Sequence, residues 1–248
     1  AEQGDASGIT DKSRRAESYL TNDLTLDWNR CEGQRYFLNR AKEFGCESIV
    51  LFSNTPPVQY TQNGKGFSNQ GGVSNLKNDC YDDFAAYMGD VAQYYIDKGY
   101  PVTHISPVNE PQYNWDGGQE GSGWTNDEVA RLARELDDAL TERNLSTDIL
   151  LGESGDWEYL YKTKDDANRS NVMSAFFTPG SSAYVGNLNH VKKLICGHSY
   201  WTDGTWDGMR SVRKQVAQAA TQYGVDVWQS EWSMLGDNYS NTEFVGYD

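Results

Sequence analysis

The chain has 248 residues, a length that suits one large α/β domain or two small ones. Hydrophobic residues make up 38 % and aromatic residues 13 %, which favours aromatic-rich clefts as well as an aromatic core. The net charge of −15 argues against nucleic acid and anionic membranes as partners, because both would repel it. No apolar run approaches a membrane span and no secretory signal is present; residue 1 is not Met, so we expect a processed or trimmed end.

Strands and helices alternate after a polar, irregular stretch that runs to about residue 28. Apolar periodicity predicts helices at residues 30–44, 81–98, 125–140 and 209–223, with an irregular helical region at 157–177. The helix after residue 125 opens with a capping-box pattern, Thr125 to Glu128. Apolar runs predict strands at residues 48–53, 102–108, 148–152, 194–200 and 225–230. The uninterrupted run at 48–53 indicates a strand buried on both faces.

This order predicts an α/β fold with a parallel sheet covered by helices. A nucleotide-binding doubly wound sheet loses support, because no G-x-G-x-x-G or P-loop follows a strand. A (β/α)₈ barrel fits better, since long loops at 54–79 and 111–124 follow strands where barrel active sites are built. The sequence shows five convincing strands rather than eight.

Two acidic residues stand at strand ends in matching contexts and are the predicted catalytic pair. Glu110 lies between Asn109 and Pro111, and Pro111 disfavours helical geometry at Glu110. Glu231 lies between Trp228 and Trp232. Two carboxyls that face one pocket with an aromatic rim are what cleavage of a glycosidic bond requires. The alternatives are a strand-end salt bridge for Glu110 and a capping or solvent-facing carboxylate for Glu231.

Other polar and aromatic residues, at strand ends or on the loop at 111–124, are predicted to bind substrate. They are Asn54, Asn109, Trp115, Glu120, Glu153, His198, Tyr200 and Trp232. Plain structural roles compete for some of them: a turn for Asn54, a salt bridge for Glu153 and a satisfied buried imidazole for His198. Trp115, Trp124 and Trp201 are candidates for stacking on sugar rings and are equally compatible with the core.

We predict neither a catalytic metal nor a cofactor. No H-E-x-x-H or C-x-x-C occurs, and His104 and His190 lack partners at a metal-binding spacing. Ser154 misses the G-x-S-x-G elbow by one residue, which sets a serine hydrolase aside. The four cysteines are predicted to be free buried thiols rather than disulfides. A calcium-binding domain gains only from the acidic charge, since no calcium-loop pattern is present.

Five motifs, in order along the chain, resemble those of glycoside hydrolase family 30. They are Phe52-Ser-Asn-Thr-Pro-Pro57, Ser106-Pro-Val-Asn-Glu-Pro111, Gln119-Glu-Gly121, His198-Ser-Tyr200 and Ser230-Glu231-Trp232. The resemblance covers roughly residues 30 to 236. Two of the runs look closest to the branch that includes endo-β-1,6-galactanases.

The resemblance implies a (β/α)₈ TIM barrel and a retaining mechanism on a β-linked galactan, glucan or xylan. It implies Glu110 as acid/base, Glu231 as nucleophile, Asn109 as ligand of the 2-hydroxyl and Tyr200 as the tyrosine that holds the nucleophile. The five strands would be the third to the seventh, so residues 1–248 would be a catalytic domain incomplete at both ends and without the family's β-sandwich. We also expect a monomer that is secreted, periplasmic or at the cell surface. A non-catalytic carbohydrate-binding barrel is the alternative.

Overall fold

The structure, a computed structural model, describes residues 5–68 and 71–233. Within these residues the strands are β1 (Ile49–Phe52), β2 (Val102–Ser106), β3 (Asp148–Ser154), β4 (Val191–His198) and β5 (Asp226–Glu231). The helices are α1 (Glu32–Glu43), α2 (Tyr81–Asp97), α3 (Asn126–Glu142), α4 (Glu158–Tyr161), α5 (Val172–Phe177) and α6 (Trp206–Tyr223). Every strand and helix predicted from periodicity is therefore present, with ends shifted by a few residues.

The five strands form one parallel sheet whose spatial order is the chain order, β1 to β5. The sheet is strongly curled. His104 on β2 and Trp228 on β5 bring their rings within 5.1 Å, although two strands lie between them. Since neighbouring strands are about 4.8 Å apart, a flat sheet would hold these side chains much further from each other. The architecture is a curled half-barrel of α/β type, and all strand carboxyl ends meet at one rim.

The hydrophobic core lies between the outer face of the sheet and the helices α2 to α6. On α2, Phe84, Ala85, Met88 and Ala92 follow the helical repeat and are all buried, so this face packs inward. The predicted capping box of α3 is confirmed: Thr125 and Glu128 each bind the other's backbone N–H. These contacts satisfy donors that the first helical turn leaves free.

The prediction that β1 is buried on both faces is wrong. Ile49 is buried, but Val50 and Phe52 are 38 % and 44 % exposed, because they point to the open concave side of the sheet. The helix α1 forms as predicted, yet Phe37 and Phe44 on its apolar stripe are exposed. A cavity of about 520 Å³ lies between α1 and β1. The first strand is thus a sheet edge with apolar surface on both sides of it.

All four cysteines are free, but the prediction that they are buried is right only for Cys31 and Cys196. Cys46 is exposed and Cys80 is half-buried. Among the described residues, no helix combines the length and the hydrophobicity that crossing a membrane requires.

Candidate active site

The carboxyl ends of the strands gather most of the predicted site residues at the rim of the half-barrel. Glu110 follows β2, Glu153 lies near the end of β3, His198 ends β4 and Glu231 ends β5. In a parallel sheet these ends share one edge, so residues far apart in sequence meet there. The topology therefore explains why the predicted residues converge.

Glu110 and Glu231 face each other across this rim. A carboxylate oxygen of each lies within 4.8 Å of the other, and a ring nitrogen of His198 lies within the same distance of both. Glu110 is largely buried, and Glu231 is half-buried. The two carboxyls thus border one small gap, as predicted from the sequence.

His198 links Glu110 to a third carboxylate, Glu153. Its Nδ1 lies 2.9 Å from Oε1 of Glu110, and its Nε2 lies 2.9 Å from Oε2 of Glu153. His198 has no solvent exposure and Glu153 has 2 %. Substrate contacts predicted for these two residues do not fit their burial, since neither side chain reaches an open surface. They form instead an inner layer that supports Glu110.

Glu153 is also the acceptor of two serine hydroxyls. Ser106 donates to its Oε1 at 2.8 Å, and Ser230 donates to its Oε2 at 2.6 Å. Burial raises the pKa of Glu153, but the hydrogen bonds from His198, Ser230 and Ser106 outweigh it and lower the pKa overall. Glu153 is therefore a buried, fully hydrogen-bonded carboxylate.

The same network changes the titration of His198. Burial lowers the pKa of His198, but hydrogen bonds to Glu110 and Glu153 and the negative charges of Glu153 and Glu231 outweigh it and raise the pKa to about 9. Each ring nitrogen faces a carboxylate oxygen, so the doubly protonated ring can donate a hydrogen bond to Glu110 and another to Glu153. His198 is therefore an imidazolium cation at neutral pH.

The backbone at Glu110 and Glu153 is strained and tightly held. Glu110 has φ +38° and Glu153 has φ +41°, values that side-chain-bearing residues rarely adopt. The N–H of Glu110 donates to the carbonyl of Glu153 at 2.9 Å. The indole of Trp115 donates to the carbonyl of Glu110 at 3.3 Å. Such strain persists where surrounding contacts impose it, and it clusters at functional sites.

This arrangement corrects the stacking prediction for two tryptophans. Trp115 and Trp124 are 2 % and 1 % exposed, so neither offers a face to a sugar. Trp115 packs instead against Gly121, where an added Cβ would lie 2.0 Å from the indole ring. Trp201 is 68 % exposed and keeps an open face at the rim.

Tyr200 and Trp232 flank Glu231. The hydroxyl of Tyr200 donates to Oε1 of Glu231 at 2.9 Å. Burial and this hydrogen bond to a carboxylate raise the pKa of Tyr200 to about 12, so the phenol keeps its proton. Trp232 donates its indole N–H to Asp203 at 2.9 Å, which fixes the ring beside the strand end.

Asn109, Asn54 and Glu120 lie towards β1. The side-chain amide of Asn109 donates to Asn54 at 3.4 Å. Its Oδ1 is buried, and within the described part of the chain it has no hydrogen-bond partner. Glu120 is buried and accepts a hydrogen bond from the backbone of Ala16. Asn54 and Glu120 line the cavity beside β1.

Sequence reasoning missed Ser106 and Ser230. Both stand at the start of motifs named above, but nothing in the sequence indicates that their hydroxyls would meet at Glu153. It also missed Tyr113, whose backbone N–H donates to the carbonyl of Glu110 at 3.0 Å.

Glu110, His198 and Glu231 offer the ligand atoms for a metal ion, but both His198 nitrogens already face carboxylates. The prediction of no catalytic metal stays a prediction.

Comparison with known protein families identifies the family of this chain. The model of O-Glycosyl hydrolase family 30 matches residues 1–248. The chain belongs to this family.

The family 30 chain is similar to proteins about twice its length or more. It is 25 % identical over 211 residues to an endo-beta-1,6-galactanase of Hypocrea rufa. The aligned region covers 83 % of this chain and 39 % of that protein. A conserved exported protein from Bacteroides fragilis superposes with a TM-score of 0.90 at 28 % identity, over 94 % of this chain and 49 % of the other. A family 30 xylanase from Clostridium acetobutylicum shares the fold, with a TM-score of 0.55 at 21 % identity over 85 % and 45 % of the two chains.

Proposed function

We propose that the protein is a retaining glycoside hydrolase that cleaves β-linked polysaccharides or oligosaccharides. The observation that carries the proposal is the approach of the Glu110 and Glu231 carboxylate oxygens to within 4.8 Å. Retaining enzymes hold their two carboxyls about 5–5.5 Å apart, whereas inverting enzymes need about 6.5–9.5 Å to admit a water. The short distance favours retention.

The two carboxylates have different roles in this reaction. Glu231 attacks the anomeric carbon while Glu110 protonates the departing glycosidic oxygen, which forms a glycosyl ester on Glu231. Glu110 then takes a proton from water, and the water cleaves the ester. The hydrogen bond from Tyr200 to Oε1 of Glu231 leaves the other oxygen of Glu231 for the attack.

His198 and Glu153 support Glu110 without touching the substrate. The ring of His198 holds Oε1 of Glu110, which fixes the orientation of this carboxyl. The family resemblance implies that Asn109 binds the 2-hydroxyl, and its buried Oδ1 has no hydrogen-bond partner among the described residues.

We take the substrate to be a neutral β-galactan, β-glucan or xylan. The acidic net charge suits a neutral polymer better than an anionic one. Among the similar proteins are an endo-beta-1,6-galactanase, an endo-beta-1,6-glucanase and a xylanase. We place the protein outside the cytoplasm, as a monomer. A similar protein from Bacteroides fragilis is described as exported.

A trapping experiment tests the proposal. The protein is first assayed on β-1,6-galactan, β-1,6-glucan and β-xylan, and released sugars are followed by NMR for anomeric configuration. An activated 2-deoxy-2-fluoro β-glycoside of the cleaved sugar is then added, and the peptides are analysed by mass spectrometry. We expect retained configuration and a glycosyl adduct on Glu231. Inverted product, or an adduct on another residue, would contradict the mechanism; binding without cleavage would favour the carbohydrate-binding alternative.

A further inference from the structure

Two exposed aromatic rings lie next to Glu110. Tyr113 is 46 % exposed and Trp201 is 68 % exposed. Their ring centroids are 6.4 Å apart and their planes differ by only 12°. Exposing two large rings side by side forfeits the stabilisation that burying them would give. Apolar surface kept open in this way usually marks a binding site.

The backbone conformation at Trp201 is energetically unfavourable. Trp201 has φ +55°, in the left-handed region that disfavours residues with a Cβ. Tyr113 is fixed from below: its ring meets buried Trp115 edge-on at 5.0 Å, and its N–H binds the carbonyl of Glu110. The same residues that hold Glu110 therefore hold Tyr113.

The pair lies on the side of the acid/base. A Cβ added to Gly155 would lie 3.3 Å from Cδ of Glu110 and 3.4 Å from Cζ3 of Trp201. The edge of the Trp201 indole and the Glu110 carboxyl thus border the same point. In the proposed reaction Glu110 protonates the oxygen of the departing sugar, so that sugar must lie beside Glu110.

We propose that Tyr113 and Trp201 form the subsite for the departing sugar ring, the ring on the leaving-group side of the cleaved bond. The ligand class is a neutral pyranoside of a β-linked polymer, whose C–H face packs on the flat rings. A side chain at Gly155 would crowd Oε1 of Glu110 and the edge of the Trp201 indole, so the glycine lets the ring and the carboxyl lie this close together. This inference rests on the proposed function and extends it to the second sugar of the cleaved pair.

The test compares two substrates that differ in their leaving group. One is the polymer that the wild-type protein cleaves among β-1,6-galactan, β-1,6-glucan and β-xylan. The other is the β-fluoride of the disaccharide released from it, whose leaving group is too small to touch the rings. Trp201→Ala is expected to lower kcat/KM on the polymer about 10- to 100-fold, in line with the loss of one aromatic stacking contact. Hydrolysis of the fluoride should stay within about twofold.

Three further variants complete the design. Trp201→Phe keeps a ring and should retain most of the polymer activity. Tyr113→Ala should lower it less than Trp201→Ala, because Tyr113 is the less exposed ring. Trp206→Ala changes a tryptophan of similar exposure, 61 %, at the start of α6, and should leave both substrates unaffected.

Equal losses of Trp201→Ala on polymer and fluoride would overturn the subsite, since they would place the residue in the catalytic centre or the fold. Unchanged polymer cleavage would overturn it as well. If wild-type protein cleaves none of the polymers, the proposed function fails and this inference fails with it, a result distinct from either of the others.

Discussion

Nδ1 of His198 lies 2.9 Å from Oε1 of Glu110, and His198 has no contact with solvent. His198 therefore binds the Glu110 carboxyl from the buried side, where the substrate cannot reach the imidazole. Glu153 provides the counter-charge on the other side of the ring, at 2.9 Å from Nε2. The three side chains form one electrostatic unit across β2, β3 and β4.

Removal of the Glu153 charge should change the pH dependence of activity. In Glu153→Gln, His198 loses one of the three carboxylates that raise its pKa to about 9, so its pKa moves towards 6.5. The basic limb of kcat/KM, followed from pH 5 to 10, should therefore shift to lower pH. Glu158→Gln removes an acid of α4 that pairs with Lys162 and serves as control. An unshifted basic limb would show that His198 does not set it.

Stability should depend on pH through His198. Its pKa of about 9 in the folded state exceeds the model-peptide value of 6.5, so protonation stabilises the fold. This stabilisation is fully present below pH 6.5 and is lost as pH rises through 9, and it amounts to roughly 3 kcal/mol. Denaturant unfolding at pH 6 and pH 9.5 should show a drop in the wild type that is largely absent in His198→Gln. His190→Gln should keep the wild-type drop; a parallel drop in both variants would refute the assignment.

Tyr200→Phe should lower activity without harming the fold. The variant keeps the ring and loses only the hydroxyl that donates to Glu231 at 2.9 Å. A lost hydrogen bond to a charged group costs about 1.5–3 kcal/mol, so we expect kcat/KM to fall roughly 10- to 100-fold with little change in Tm. The control is Tyr223→Phe at the end of α6. Full activity of Tyr200→Phe would mean that Glu231 is oriented by other contacts.

Gly152→Ala should destabilise the protein strongly. Gly152 has φ +116°, and an added Cβ would lie 2.2 Å from the carbonyl oxygen of Cys196 on the neighbouring strand. Backbone must shift to relieve this overlap, which we expect to cost about 3 kcal/mol or more. Gly45→Ala also has a positive φ, +76°, but meets nothing within 4 Å and should cost only about 1–2 kcal/mol. Equal losses in chemical denaturation would contradict the role of the Cys196 contact.

Much of the fold was predictable from the sequence because its elements follow local rules. The apolar repeat on α2 and the capping box of α3 need only neighbouring residues to be recognised, and both are present. The strand-end positions of Glu110 and Glu231 also follow from sequence, since Pro111 disfavours helix at Glu110 and parallel strands share one edge.

Burial could not be predicted in the same way, because it depends on what covers each side chain. The stripe on α1 has the same periodicity as buried helices, yet Phe37 and Phe44 are exposed. Val50 and Phe52 lie in an apolar run that indicates a strand buried on both faces, yet they face the open concave side. Periodicity identifies the apolar face of an element and leaves open whether anything packs against it.

The amino-acid sequence by itself determined the alternation of strands and helices, the family motifs and the two candidate carboxylates, since all of these depend on residues close together in the chain. Only the tertiary structure decided the roles of their neighbours. His198 is 88 residues from Glu110 and 45 from Glu153, and no local pattern records that its ring lies between them. Trp115 and Trp201 are both tryptophans near the same rim, but one lies beneath Glu110 and the other stays open beside it. Long-range packing alone makes that distinction, because it sets which face of each loop meets the core and which meets solvent.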